Sequence, residues 1–182
     1  SAARWASGLR TAGFDDWYLP ARRELSLLYA NVPELFEKEW YWSSTQSSSD
    51  SDFAWGQGFA NSCQHNSPKD YKGHAMAIRR IPVFKYCDPR STRNNRKPQT
   101  RTGCMNAFAH LSTHEIGSAL EGGFFAGLIR IAGRTYGIVV APKADGETIS
   151  PWNDSDGEVA GALSYSDGVA NTAAMEATGS EL

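Results

Sequence analysis

Cysteine is scarce. There are three, Cys63, Cys87 and Cys104, and no two are spaced as CxxC. A zinc site built from close pairs of soft ligands is not on offer. A Cys87–Cys104 disulfide stays open, but free, partly buried thiols are the expected state. Long apolar runs are missing too. The longest, "GIVVAP", is far short of the roughly 20 residues a membrane-spanning helix needs. No excess of positive charge exists: the formal net charge is −2, which gives no general attraction to nucleic acid. No leader pattern of basic start and apolar centre is visible from Ser1 onward. The chain is therefore expected to be cytosolic when made, or to leave the cell as part of something larger.

What is present is aromatic. Six Trp and 17 Gly in 182 residues suit a sheet-rich domain with many turns better than a helical bundle. A chain of this length buries a sizeable core without disulfides or metals. It suits one domain, or one domain with an extension.

Along the chain, Ala2–Leu9 reads as a helix that stops at Gly8. The segment "GFDDWYLPARREL" follows. Gly13 tolerates a positive φ, and Asp15 and Asp16 bond nearby backbone N–H groups to hold a turn. Trp17 and Leu19 share one face of a short extended piece. Pro20 suits the first turn of the next helix, which points Leu25, Leu28 and Tyr29 inward and ends at Pro33. Strands are expected at Tyr41–Thr45, Phe53–Ala60 and His74–Val83, separated by polar loops at Gln46–Asp52 and Asn61–Asp70. "DPRSTRNNRKPQTR" (Asp88–Arg101) carries five basic residues against one acid and reads as a solvated linker. Gly122–Lys143 holds two apolar runs around "AGR", a β-hairpin pattern. Ala144–Glu158 reads as a long acidic loop. Ser166–Leu182 reads as an Ala-rich helix with caps at Ser166 and Asp167. The chain thus begins and ends on helical pattern, and joining Leu182 to Ser1 would give one continuous helix.

"DDWYLPARREL" resembles the "DWRLPT..EL" hallmark of the DUF1566 family, whose type domain is the C-terminal domain of a bacterial collagen-like adhesin. "YWSST", "AWGQGF" and "AIRRI" are similar to the family's other landmarks, in its order, over Phe14 to roughly Pro82. The second half looks like the front portion of phage-encoded members, with "GG.FAG.I...G..Y..IVAPK" and "DG.ANT..M...GS.LA" blocks. Here those blocks come afterwards, so the order looks circularly permuted.

The resemblance implies an α+β, C-type-lectin-like fold with two main helices, a small, mostly antiparallel sheet and long loops. Residues 1–83 would form one half and 84–120 a basic linker or extended loop, with 121–182 completing the same domain. It implies a non-enzymatic recognition or structural module of a phage tail or fibre, or of a bacterial surface adhesin. Its place would be the virion or the bacterial cell surface, and its assembly a homo-oligomer, with a trimer favoured. Partners would be a surface glycan or protein receptor and other virion proteins, with no nucleic acid. An alternative is a virion decoration protein that binds no ligand. A remoter alternative is an oxidoreductase like the formylglycine-generating enzymes, which hold copper with a cysteine pair; none of the three cysteines falls within a matching motif.

The candidate chemistry is limited. Adjacent carboxylates in a turn point apart, so Asp15 and Asp16, with Trp17, Pro20 and Trp42, are expected to be structural rather than catalytic. No Ser-His-Asp arrangement is recognisable among His65, His74, His110 and His114. His110 and His114, with Glu115 adjacent, have helical spacing but read as solvated surface. Asp154, Asp156 and Glu158 alternate as calcium ligands do, without the full loop pattern, so calcium is a weak option and no other cofactor is expected. Tyr41, Trp55, Gln57, Asn61, His65, Tyr71 and Trp152 are the ligand-binding candidates, since rings stack on sugars and amides supply adaptable hydrogen bonds. Arg90, Arg93, Arg96, Lys97 and Arg101 are the anion-binding candidates.

Overall fold

The apolar runs "GFFAGLIRI" and "RTYGIVV" fold as the hairpin their pattern predicts. The turn between them is Ala132–Gly133, with φ of 46° and 80°. Two successive positive φ values make the turn whose twist matches paired strands. In the computed structural model, residues 1–83, 114–153 and 157–178 are described. The elements run α1 (Ala2–Gly8), α2 (Arg22–Asn31), a 3-10 turn (Pro33–Leu35), β1 (Trp40–Gln46), β2 (Phe53–Gly58), β3 (Gln64–Pro68), β4 (Gly73–Met76), β5 (Ile78–Val83), β6 (Ala119–Leu120), β7 (Gly123–Ile131), β8 (Arg134–Val140), α3 (Lys143–Gly146), β9 (Glu147–Ser150) and α4 (Gly168–Thr178).

The fold is α+β and mostly β. It has two sheets rather than one small sheet. Five strands lie in the order β3-β2-β1-β4-β9 and four in the order β5-β8-β7-β6. Only β1 and β4 pair in parallel among the described strands. Elements from both halves of the chain share both sheets: β9 pairs with β4, and β8 with β5.

Four expectations about strands change. The expected single strand His74–Val83 breaks at Ala77, whose N–H and C=O bond Gly146 and Ala141, so β4 and β5 enter different sheets. The Asn61–Asp70 loop contains β3, a polar edge strand held by backbone pairing with β2 and therefore without apolar alternation. The acidic loop contains the one-turn α3 and β9. β6 also forms within the stretch assigned to the linker.

Two cores form. Ala2, Ala3 and Ala6 of α1 and Met175 of α4 pack with Trp17, Trp42, Phe125, Val139 and Trp152. Leu25 and Leu28 of α2 pack with Tyr41, Ile78, Ile129, Ile138 and Val140. Val139 serves one core and its neighbours Ile138 and Val140 the other, as strand alternation requires. The four-stranded sheet is thus buried on both sides, which explains its near-continuous apolar runs.

The helices correct one further expectation. Ser1 caps α1, accepting from the Arg4 N–H at 3.4 Å. The Ser7 hydroxyl donates to Glu176. One continuous helix from α4 into α1 would set those residues about 20 Å apart at 1.5 Å per residue; the two helices lie flank to flank instead.

The opening segment is tied down at several points. Asp16 takes a two-pronged bond from Arg79 of β5, at 2.7 and 3.0 Å. Tyr18 and Ile78 exchange backbone hydrogen bonds. Pro20 lies one residue before the N-cap Ala21 rather than in the first turn, because α2 begins at Arg22. Ala21 has no capping oxygen, and Glu24 substitutes. Its Oε2 accepts from the N–H groups of Ala21 (2.8 Å) and Gly168 (3.2 Å), and its Oε1 from the Tyr18 hydroxyl (2.7 Å). One fully buried carboxyl therefore joins the starts of α2 and α4 to the segment before them.

Candidate aromatic recognition site

The ligand-binding candidates separate by burial. Tyr41 and Trp152 are completely buried and Gln57 nearly so, which removes them from any surface site. Each has an interior task. The Trp152 Nε1–H donates to the Ser43 carbonyl at 2.6 Å. The Tyr41 hydroxyl donates to Glu147 and accepts from the Glu37 N–H at 3.0 Å. The Gln57 amide donates to the Gly58 carbonyl at 3.3 Å. Asn61 is exposed, but its Oδ1 accepts from the Cys63 N–H at 3.2 Å, closing the turn between β2 and β3. Trp55 is half-buried beneath Arg22. Of the structural set, Trp17 and Trp42 are core residues.

His65 and Tyr71 are the ring-bearing candidates that are exposed, Tyr71 at 55%. They flank a ring the sequence pattern does not single out, Trp40. Ring centroids lie 5.4 Å apart for Trp40 and His65, tilted by 31°, and 5.9 Å for Trp40 and Tyr71, at 76°. Trp42 supports Trp40 from within, 4.2 Å away and edge-on at 73°.

The sheet beneath Trp40 is cleared by glycine. A Cβ on Gly56 would collide with the indole, and one on Gly73 would reach it at 2.7 Å. Gly56 lies in β2 and Gly73 in β4, the strands on either side of β1. Their missing side chains let the ring lie on the sheet surface. The Trp40 Nε1–H has no hydrogen-bond partner among the described residues, and stacking and this floor hold the ring. The alternation "WGQG" within a strand is the signal that points to such a close approach.

A polar network braces the same sheet. His74 Nδ1 lies 2.9 Å from Glu147 Oε1, and Lys143 bonds Glu37 and lies 3.7 Å from Glu147 Oε2. Burial, followed by the bond to Glu147, raises the Tyr41 pKa well above that of a free phenol. These groups satisfy one another across β1, β4, α3 and β9.

No protein family, curated protein or solved structure matches this chain. No group of three His, Cys, Asp or Glu side chains among the described residues is placed to hold a metal ion. Cys63 is an exposed free thiol. Cys87, Cys104, His110, Asp154 and Asp156 lie outside the described residues, as do Arg90, Arg93, Arg96, Lys97 and Arg101. Glu158 and Glu115 are exposed, and the His114 ring lies 6.3 Å from that of Phe125. No helix among the described residues is long and apolar enough to cross a membrane.

Chemically, the Trp40 face offers three π surfaces of different inclination. Such an arrangement stacks on the apolar face of a sugar ring or on a flat protein side chain.

Proposed function

We propose that the chain is a non-enzymatic recognition module that binds a surface glycan through Trp40, His65 and Tyr71. The observation that carries this reading is the pair of strand glycines, Gly56 and Gly73, that clear the sheet so the Trp40 indole lies between two accessible rings. A large aromatic held on a rigid sheet loses little entropy on binding. The resemblance of "DDWYLPARREL" to the DUF1566 hallmark supports the same reading. With it come a permuted C-type-lectin-like fold and a trimeric place in a phage tail or fibre, or on a bacterial surface. Fold-level likeness by itself carries no function.

The test is binding of the purified chain to bacterial cells and to a printed array of bacterial surface glycans, with and without calcium. Saturable binding to a subset of glycans is expected. Its calcium dependence reports whether the acidic loop takes part. A folded, oligomeric protein that binds nothing would assign the chain to a structural role in the particle.

A further inference from the structure

Arg22 stands out for its lack of a counter-ion among the described residues. The other half-buried or buried arginines near the sheets are paired: Arg79 with Asp16 and Glu121, Arg80 with Asp167. No acidic side chain among the described residues lies within ion-pair distance of Arg22. Its guanidinium lies 3.5 Å from the centroid of the Trp55 ring and 5.3 Å from that of Tyr165. Burial against these rings lowers its pKa, as expected of a charge that has lost water and gained no anion.

The guanidinium is nonetheless held in place. Gln64 Oε1 accepts from Nε at 3.2 Å and from Nη2 at 3.1 Å. The Gln64 amide nitrogen donates to the Arg22 carbonyl at 3.0 Å and to Ser26 Oγ at 2.9 Å. The Tyr165 backbone is held too: its carbonyl accepts from the Arg23 N–H at 2.9 Å. One edge of the fork, Nε with Nη2, is thus committed. The outer edge, Nη1 with the second N–H of Nη2, makes no other hydrogen bond to the described residues. That edge matches the two oxygens of a carboxylate.

We propose that Arg22, Trp55 and Tyr165 form a second binding site, for a carboxylate-bearing sugar such as a uronate or a sialate. The outer edge takes the carboxylate, and the Tyr165 ring, 53% exposed, takes the apolar face of the pyranose. Asn66, directly across from Trp55 in the β2–β3 pair, adds an amide and no charge. Neutral amide and aromatic groups around one cation suit a sugar acid better than a polyanion. The site is separate from Trp40: successive residues of β3 point to opposite faces, Gln64 toward Arg22 and His65 toward Trp40.

The probes are sodium glucuronate and N-acetylneuraminate, with glucose and acetate as controls, titrated into isotope-labelled full chain. The readout is the NMR shifts of the Arg22 Nε–H and the Trp55 indole N–H. Saturable shifts with the sugar acids are expected, at least about tenfold tighter than with acetate or glucose. Arg22→Gln and Arg22→Lys each weaken binding about tenfold or more, since a fork-to-carboxylate pair contributes over 1 kcal/mol. Tyr165→Ser, at a position 53% exposed and with circular dichroism showing it folded, weakens the sugar acids and leaves acetate unchanged. Trp40→Ala leaves these shifts intact, so loss of the first site and loss of this one are told apart. The proposal is overturned by sugar acids that cause no shift, by equal binding to wild type and Arg22→Gln, or by acetate binding as tightly as glucuronate.

Discussion

Replacing Glu24 by Gln should make the protein more stable at neutral and higher pH. Burial, opposed by its hydrogen bonds, raises the Glu24 pKa from 4.5 to about 7. Tyr18, Arg80 and Asp167 are the titratable or charged groups nearest this cluster. Between those two pKa values the folded chain holds a proton that the unfolded chain has released. Stability contributed by that proton is therefore full at acid pH and is lost as pH rises through the window. The loss is about 1.4 kcal/mol per pH unit and about 3 kcal/mol in all. The amide introduced by Glu24→Gln would mimic the protonated acid: its oxygen accepts from the Ala21 and Gly168 N–H groups, and its nitrogen faces the Tyr18 hydroxyl. The assay is urea unfolding of both proteins from about pH 4 to pH 8.5. Taking the difference cancels every group they share. The variant should match the wild type at the acid end and gain steadily above it, levelling off past neutrality. A difference that is flat with pH refutes the reasoning. So does a wild type that gains on the variant as pH rises, which would mean that the three donors hold Glu24 ionised.

Other outcomes follow from the same packing. Gly56→Ala drives a methyl into the Trp40 indole and toward the Tyr41 carbonyl at 2.6 Å; unfolding should show a cost of about 1–3 kcal/mol, with displaced Trp40 resonances. Trp152→Ala empties a fully buried site and should cost about 3–5 kcal/mol, whereas Tyr71→Ala at the surface should stay within about 0.5 kcal/mol. Asp16→Asn removes the two-pronged partner of Arg79. Asp16 is half exposed and Glu121 remains as a second partner, so thermal unfolding should reveal only about 1 kcal/mol.

The elements legible in the sequence are those whose signal is local. α1 ends at Gly8, α2 carries Leu25 and Leu28 on one stripe, and the β7–β8 hairpin is written in β-branched residues around a two-residue turn. Nothing local marks β3 and β9. Their polar side chains lie at sheet edges, and their pairing partners, β2 and β4, supply the order. The break at Ala77 is equally invisible, since it arises where two sheets separate. At the site, the composition points to aromatics and loops but does not rank their exposure. Trp152 reads as loop material and is core. Tyr71 and His65 are identifiable, while the ring between them, Trp40, is hidden at the start of a strand. Glu24 reads as an ordinary surface acid of α2. Only the missing cap at Ala21, together with Gly168 from far along the chain, explains its burial.

Trp40, on its glycine floor, is the proposed recognition surface. The most direct measurement is a binding isotherm of wild type and Trp40→Ala on the printed glycans, with circular dichroism showing both folded. The account predicts saturable binding by the wild type that falls at least about tenfold in Trp40→Ala, the scale of one lost stacking contact of over 1 kcal/mol. Equal binding by the two proteins, or none by the folded wild type, would contradict it.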